Sequence, residues 1–591
     1  MSIKVSDYII DLLARENVGC VFEVCGGAIT HLLDSLYERK DIKVISMHHE
    51  QAAAMAAEGF ARSHASVGVA MATSGPGATN MITGIASCYF DSIPSIFITG
   101  QVNTYEFKFN KPVRQIGFQE TDITKIVKPI VKDAVLIKDP GTIRYYLERA
   151  FCIARSGRPG PVLLDIPMNI QRARINPRLS KPFSVPLKNR PSYALDKNNF
   201  AKAIDLLKTA LRPIILVGGG VRLSKAENEL LKLIDKTGVP VVSSLMGLDA
   251  FPHDHPAFVG FIGTYGNRYA NLCLANCDLL LALGTRFDTR QTGTKPETFA
   301  RAAKKIHVDI DPYELNNKIK VDIAVESDIK DFLVLLNERM GAYDKKRISV
   351  WKNIIQNNKN KYPSFGFPKG DAIAPNFLMH QLSAYLSKDA IVCVDIGQNQ
   401  IWAAQSLFLS DKRRFLTQGG MGAMGSALPM GIGASFANPA RQVVVITGDG
   451  GFQLNIQELQ TIFHHRLPIK IILLNNSCYG MVRQFQKQYF NSRFQSTTIG
   501  YSCPDFQDVV SAYKIPCSRV SSRKEADIAF KRLFKDRKPM FLEVKIRRSV
   551  EVKPKLGVGK PIEEQEPTLP AGELESLMMI KPIRNSNGRK K

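Results

Sequence analysis

Short apolar runs that end abruptly on glycine and polar residues recur along this chain. Val443-Val444-Val445-Ile446 leads into Gly448-Asp449-Gly450, and Ile471-Ile472-Leu473-Leu474 leads into Asn475-Asn476. Apolar runs of this length without alternation mark strands buried on both faces, as in parallel sheets. A helix-compatible segment lies between the two runs, and Asn476 follows Asp449 by 27 residues. That spacing is one strand–helix–strand unit. It brings both polar ends to the carboxyl edge of neighbouring strands, where open α/β sheets bind ligands. Lys43-Val44-Ile45-Ser46-Met47 similarly precedes His49-Glu50-Gln51 and an alanine-rich helical stretch ending near Arg62. Pro213-Ile214-Ile215-Leu216-Val217 runs into Gly218-Gly219-Gly220, Leu280-Leu281-Ala282-Leu283 into Gly284, and Ile306-His307-Val308 into Asp309.

The pattern predicts an α/β fold class with three doubly wound parallel-sheet domains, at residues 1–180, 191–345 and 370–545. The first and third are expected to be two versions of one sheet architecture. The basic, proline-containing stretch Gln171–Arg190 and the polar stretch Asn353–Lys369 read as linkers. Residues 546–591, rich in Lys, Glu and Pro, read as an extended or partly ordered tail.

Composition narrows this little. The 591 residues are 45% hydrophobic and 23% charged, enough for several real cores. No apolar run of about 18 residues exists to span a membrane. The amino terminus lacks a secretory signal pattern. Ten cysteines without zinc spacing suit reduced thiols in a cytoplasmic protein. The net charge of +25 is dispersed, apart from a basic stretch from Lys581 to Lys591, and no nucleic-acid-binding motif accompanies it.

Asp449 and Asn476 offer a carboxylate and an amide oxygen, ligands that suit a hard cation such as Mg²⁺. The glycines beside Asp449 let a diphosphate approach the backbone. Alone, Glu50 fits a carboxylate complementing a helix dipole, and the glycine run at 218–220 is common strand-end punctuation.

Together these segments resemble thiamine diphosphate enzymes. Further loops narrow the resemblance to the acetolactate synthase large-subunit family over roughly residues 1–545. They include Thr73-Ser74-Gly75-Pro76-Gly77-Ala78-Thr79-Asn80, Phe118-Gln119-Glu120, Gly284-Thr285-Arg286-Phe287-Asp288, Gly397-Gln398-Asn399-Gln400 and Gly420-Met421-Gly422-Ala423-Met424-Gly425. The resemblance implies a pyrimidine-binding first domain, a central FAD-binding-like domain and a diphosphate-binding third domain. Glu50 would hydrogen-bond N1′ of the aminopyrimidine and so help make the cofactor a carbon nucleophile. Asp449, Asn476 and the Cys478 carbonyl would hold Mg²⁺. Gln398, Asn399, Gly450 and Gly451 would lie along the diphosphate. Met424 would bend the cofactor, Gly422 would accept from its amino group, and Thr73, Pro76 and Asn80 would line its pyrimidine side. FAD contacts would come from Arg158, Gly218, Gly219, Ser244, Leu245, Gly284, Arg286, Asp288, Arg290, Asp309 and Asp328, with the flavin performing no net redox chemistry. Substrate contacts would come from Gly26, Gly27, Gln119, Met168 and Phe485. Each site would form between two chains, so a homodimer or homotetramer is implied, with a possible regulatory subunit.

Departures from the family pattern cluster where a second substrate would enter. Met168 stands for a lysine, Phe485 for a tryptophan, and Glu23-Val24-Cys25 for Gly-Tyr-Pro. Losing a cation and a ring alters how that mouth could sort carboxylates and bulk. The function expected is decarboxylation of a 2-keto acid, most simply pyruvate, with carboligation of the two-carbon unit to an acceptor carbonyl. One alternative is a larger acceptor such as a nucleotide-linked keto-sugar. A second is a non-catalytic paralogue, against which the joint presence of Glu50, Asp449 and Asn476 counts.

Overall fold

A computed structural model describes residues 2–64, 66–184, 197–367, 370–410 and 412–583. Three six-stranded sheets carry the fold, and every strand pair within them is parallel. The chain divides into two compact units. One comprises Met1–Pro191, Asp389–Gln400 and Arg414–Arg548; the other comprises Ser192–Lys388, Ile401–Arg413 and Ser549–Lys591.

The first unit holds two of the sheets. Across the first sheet the strands run Lys43–Ser46, Cys20–Val24, Gly68–Ala72, Ser95–Gln101, Pro161–Pro167, Asp133–Leu136. Across the other they run Arg414–Leu416, Ile391–Val394, Val443–Gly448, Ile469–Asn475, Met540–Lys545, Cys517–Val520. Numbered within each sheet, both orders are 2-1-3-4-6-5, the shared architecture expected of the first and third blocks. Alternate residues of Cys20–Val24 enter different cores: Phe22 joins one apolar cluster and Val21 another. Burial on both faces is why these strands read as unbroken apolar runs.

Between the two sheets the helix Glu50–His64 packs on the helix Ala427–Ala437. A Cβ on Gly59 would overlap the Met430 backbone, and one on Gly433 would overlap the Ala56 carbonyl. With Ala52, Ala53, Ala54, Ala56 and Ala57 all fully buried, small side chains bring the two backbones into direct contact. Close packing of this kind leaves no room for an added methyl.

The second unit is built on the sheet Phe258–Phe261, Val241–Ser243, Pro213–Val217, Leu279–Leu283, Lys304–Asp309, Ile323–Glu326. Its order, 3-2-1-4-5-6, is that of dinucleotide-binding domains, with the reversal between Pro213–Val217 and Leu279–Leu283.

Two expectations are corrected here. The stretch Asn353–Lys369 is largely helical: Ser349–Lys361 buries Trp351, Ile355 and Asn358, spaced along one helical face, within the central unit. From Ser549 the chain is built into that unit through the described residues and is not a loose tail. Lys555–Leu556 pairs antiparallel with Gln565–Glu566, Ala571–Leu577 is helical, and Val552 and Ile562 are fully buried. Arg268 donates to the carbonyls of Gln565 and Pro567, and Arg301 pairs with the buried Glu563. Val552, Leu556 and Ile562 are buried, so its polar average misleads. Within Gln171–Arg190, Arg174–Ile175 pairs with Ile3–Lys4. The rest of that linker from 185, the expected boundary near 191, the linker residues 368–369 and the basic stretch 584–591 lie outside the described residues.

Candidate functional site

The strands Ile391–Val394, Val443–Gly448 and Ile469–Asn475 are neighbours, and their carboxyl ends carry Asp395, Asp449 and Asn476. Asp449 and Asn476 are almost fully buried. Asn476 donates Nδ2–H to Gln398 Oε1 at 2.9 Å. Its Oδ1 then faces oxygens alone, Asp449 Oδ1 at 3.2 Å and the Cys478 carbonyl at 2.9 Å. Turning this amide and that of Gln398 over together closes the group without an ion: Asn476 then donates to Asp449 and to the Cys478 carbonyl, and Gln398 donates to Asn476. With Asn476 Oδ1 turned inward instead, the three oxygens converge as the ligands of a hard cation do. Octahedral Mg²⁺, with ligands at about 2.1 Å, holds adjacent oxygens about 3 Å apart, so the trio fits that ion.

Burial raises the Asp449 pKa, and Tyr501, donating to Asp449 Oδ2 at 2.6 Å, works against the rise. Tyr501 thus occupies one carboxylate oxygen and leaves Oδ1 to the trio. The Tyr501 ring meets that of Tyr479 edge-on, and a Cβ on Gly450 would collide with Tyr479. A Cβ on Gly451 would collide with the Asp395 carboxylate. Asp395 is fully buried and pushed up to about 6 by that burial; it accepts from Thr447 Oγ1 at 2.9 Å and from Gly425 N at 2.9 Å. Asn399 is committed to the Asp395 carbonyl at 2.7 Å. Met424 Cε lies 3.4 Å from where a Gly450 Cβ would stand. Gly422, at φ +66°, has open space around it. The structure therefore gathers Asp449, Asn476, Cys478, Gln398, Asn399, Gly450, Gly451 and Met424 around one strand edge.

A second cluster forms at the first sheet's carboxyl edge. Glu50 opens its helix and accepts from Asn80 Nδ2 at 2.9 Å. Its other oxygen lies 3.3 Å from a Cβ placed on Gly77, and the same position abuts Thr73. A Cβ on Gly26 would overlap Thr73, so this loop needs glycine for the close approach. Pro76 opens the short helix Pro76–Asn80, and Gln119, at φ +62°, packs on Gly75. Among the described residues no hydrogen bond joins Glu50 to the Asp449 loop within one chain. Met168 opens the helix Met168–Arg172. Phe485 is 42% exposed and groups with Tyr489 and Phe490.

In the central unit, Gly218, Gly219, Ser244, Leu245, Gly284, Arg286, Asp309 and Asp328 follow strand ends along one sheet edge. Gly218 and Gly284 flank the point of strand-order reversal. A Cβ on Gly218 would overlap the Gly284 carbonyl, and Gly284 has φ +57°. Asp288 and Asp328 cap short and long helices by accepting from Arg290 N and Lys330 N. Arg290 lies over the Tyr265 ring. Arg158 belongs to the other unit, where its Nε donates to Ser92 Oγ at 2.8 Å.

Comparison with known proteins bears on these clusters. The family description "Thiamine pyrophosphate enzyme, N-terminal TPP binding domain" matches residues 3–126, the central-domain description matches 200–336, and the C-terminal TPP binding domain description matches 395–544. An acetolactate synthase large subunit of Cyanidium caldarium is 37% identical over 93% of this chain and 94% of its own length. The acetolactate synthase of Arthrospira platensis is 36% identical over 93% of this chain and 95% of its own. Chloroplastic acetolactate synthase 2 of Nicotiana tabacum is 37% identical over 94% and 84%.

The chain belongs to the acetolactate synthase family of thiamine pyrophosphate enzymes. It is a thiamine-diphosphate-dependent carboligase by that membership. In this acetolactate synthase relative, sequence reading missed Tyr501, Tyr479 and Asp395. Asp395 could have been found, because Ile391-Val392-Cys393-Val394-Asp395 repeats the pattern of an apolar run ending on an acid. Tyr501 follows Asn476 across the helix Gly480–Tyr489 and a stretch with no motif, so nothing short of the fold places it.

Proposed function

We propose that the protein decarboxylates pyruvate and ligates the two-carbon unit to a second carbonyl, with Mg²⁺ and FAD as further cofactors. The convergence of Asp449, Asn476 and the Cys478 carbonyl at the strand edge beside Gly450 and Gly451 carries this reading, because a carboxylate, an amide and a carbonyl at one point form a donor set for a hard cation. Thiamine diphosphate, when bound, supplies the carbon nucleophile. Asp449, Asn476 and Cys478 would hold the metal that anchors its diphosphate, and Gly450 and Gly451 let that group reach the backbone. Gln398 and Asn399 would border the diphosphate, and Met424 and Gly422 the ring region. Glu50 would hold a proton at the pyrimidine N1′, with Asn80 orienting its carboxylate and Thr73 and Pro76 lining the ring. Gly26, Gly27, Gln119, Met168 and Phe485 would face substrate.

Flavin would lie along the central sheet edge. Gly218, Gly219 and Gly284 offer close backbone approach at the strand-order reversal, with Ser244, Leu245, Arg286, Asp288, Arg290, Asp309 and Asp328 beside it. A site completed by a second copy, in a dimer or tetramer, is the assembly the family resemblance implies. The relatives called large subunits make a regulatory subunit a reasonable partner. Ten free cysteines favour a reducing compartment such as the cytoplasm. No helix of the described residues is long and apolar enough to cross a membrane. The relatives favour acetolactate chemistry over a nucleotide-linked keto-sugar acceptor or a catalytically silent protein.

Purified protein incubated with thiamine diphosphate, Mg²⁺, FAD and pyruvate should release CO₂ and form acetolactate, read by mass spectrometry. No CO₂ release from pyruvate, alone or with added carbonyl acceptors, would overturn the reading.

A further inference from the structure

The loop that carries Gly422 and Met424 is suspended from groups of the first sheet's half of the unit. Gln418 is fully buried at its base. Its Nε2 donates to Glu58 Oε2 at 3.0 Å, and its Oε1 accepts from Ala423 N at 3.0 Å. Glu58 lies two turns beyond Glu50 on the same helix and is completely buried. Its other oxygen accepts from Arg62 at 3.0 Å, and Arg62 also donates to the Thr417 carbonyl at 2.7 Å. Asp91 accepts from Gly419 N at 2.9 Å and from Gly420 N at 2.8 Å. Gln400 reaches Thr417 Oγ1 and the Gln418 carbonyl at 2.8 and 3.2 Å. The base of the loop is thus fixed on every side, while its tip at Met421 and Gly422 is open.

We propose that Gln418, held by the Glu58 carboxylate, is a positioning residue that sets the height of the Gly422–Met424 segment over the cofactor. This rests on the thiamine diphosphate reading above. The pair is a single hydrogen-bonded path from the helix that presents Glu50 to the backbone next to Met424. It has a defined polarity: Gln418 must donate at one end and accept at the other, and Glu58 must accept. Burial pushes Glu58 up to about 7, and Arg62 and Gln418 oppose that rise. A misplaced Met424 would leave the cofactor bound by its metal-anchored diphosphate, yet wrongly bent for proton removal. The residue therefore acts on turnover and not on cofactor retention.

The polarity supplies the test, made on the full-length protein with thiamine diphosphate, MgCl₂ and FAD. Gln418→Glu sets two carboxylates against each other. The reciprocal pair Glu58→Gln with Gln418→Glu restores the path, because the new glutamine donates to the new carboxylate, which still accepts from Ala423 N. Gln418→Glu should lose about tenfold or more in kcat with thiamine diphosphate affinity within about threefold, and the reciprocal pair should recover kcat to within about threefold. The near-ultraviolet circular dichroism of the bound aminopyrimidine should disappear and return in step. Should Gln418→Glu fail to fold, Gln418→Met, which keeps bulk and loses both hydrogen bonds, should show the same kcat loss without rescue by Glu58→Gln. Unchanged kcat in a folded Gln418 variant, or a reciprocal pair that regains melting temperature but not kcat, would overturn the proposal. A wild-type protein that binds no thiamine diphosphate would instead overturn the functional reading beneath it.

Discussion

Replacing Asp449 by asparagine should move the empty and the loaded protein in opposite directions. Asp449 Oδ2 accepts from Tyr501, and Oδ1 stands 3.2 Å from Asn476 Oδ1. In the empty protein Asn476, turned to donate, already bonds the Oδ1 position, and in Asp449→Asn the new amide oxygen can keep that bond. A buried carboxylate, whose pKa burial has raised, is removed. The apoprotein should therefore gain about 1–2 kcal/mol of stability. The loaded protein loses the only anionic group among the three oxygens. Removing one partner from a buried charge pair costs about 3–5 kcal/mol, or about two to four orders of magnitude in affinity. Scanning calorimetry of the apoprotein and isothermal titration of thiamine diphosphate at saturating MgCl₂ read the two effects. A variant that melts below wild type while binding the cofactor within about threefold of wild type would show that the three oxygens do not hold a cation.

Other substitutions separate the remaining roles. Glu50→Gln should slow exchange of the cofactor's C2 proton, followed by NMR, by about 10²–10⁴ while leaving cofactor affinity little changed. Gly218→Ala drives a methyl into the Gly284 carbonyl, so the central unit should melt several degrees lower and flavin absorbance should be lost on purification. Burial raises Asp165 to about 7, with Thr99 and Gln101 donating to it. A raised carboxylate pKa favours the folded state most below the ordinary value, and that contribution disappears as pH climbs through about 7. The melting temperature of Asp165→Asn should accordingly fall less than that of wild type between about pH 5.5 and 8; equal slopes would refute the assignment.

The sheets were legible because strands buried on both faces spell themselves as apolar runs, and the chemistry was legible where those runs end. Asp449, Asn476 and Glu50 all sit at such ends. What resisted reading depends on contacts between distant segments. The Cys478 carbonyl contributes as backbone, which leaves no trace in residue type. Tyr501 and Gln418 act through partners 52 and 360 positions away in sequence. Gly59 and Gly433 matter only because two particular helices touch. Residues after 545 looked polar on average, yet Val552, Leu556 and Ile562 each fill a place in the central unit.

That last arrangement bears on how the protein is made. The central sheet has all six strands by Glu326, but the unit takes its final piece from Ser549 onward. A nascent chain thus cannot finish its central unit before the residues from Ser549 onward leave the ribosome, although domains commonly complete themselves from the amino terminus. Until Glu563 arrives opposite Arg301, that guanidinium waits without its carboxylate. Residues from Ser549 onward are a keystone for a part synthesised long before them.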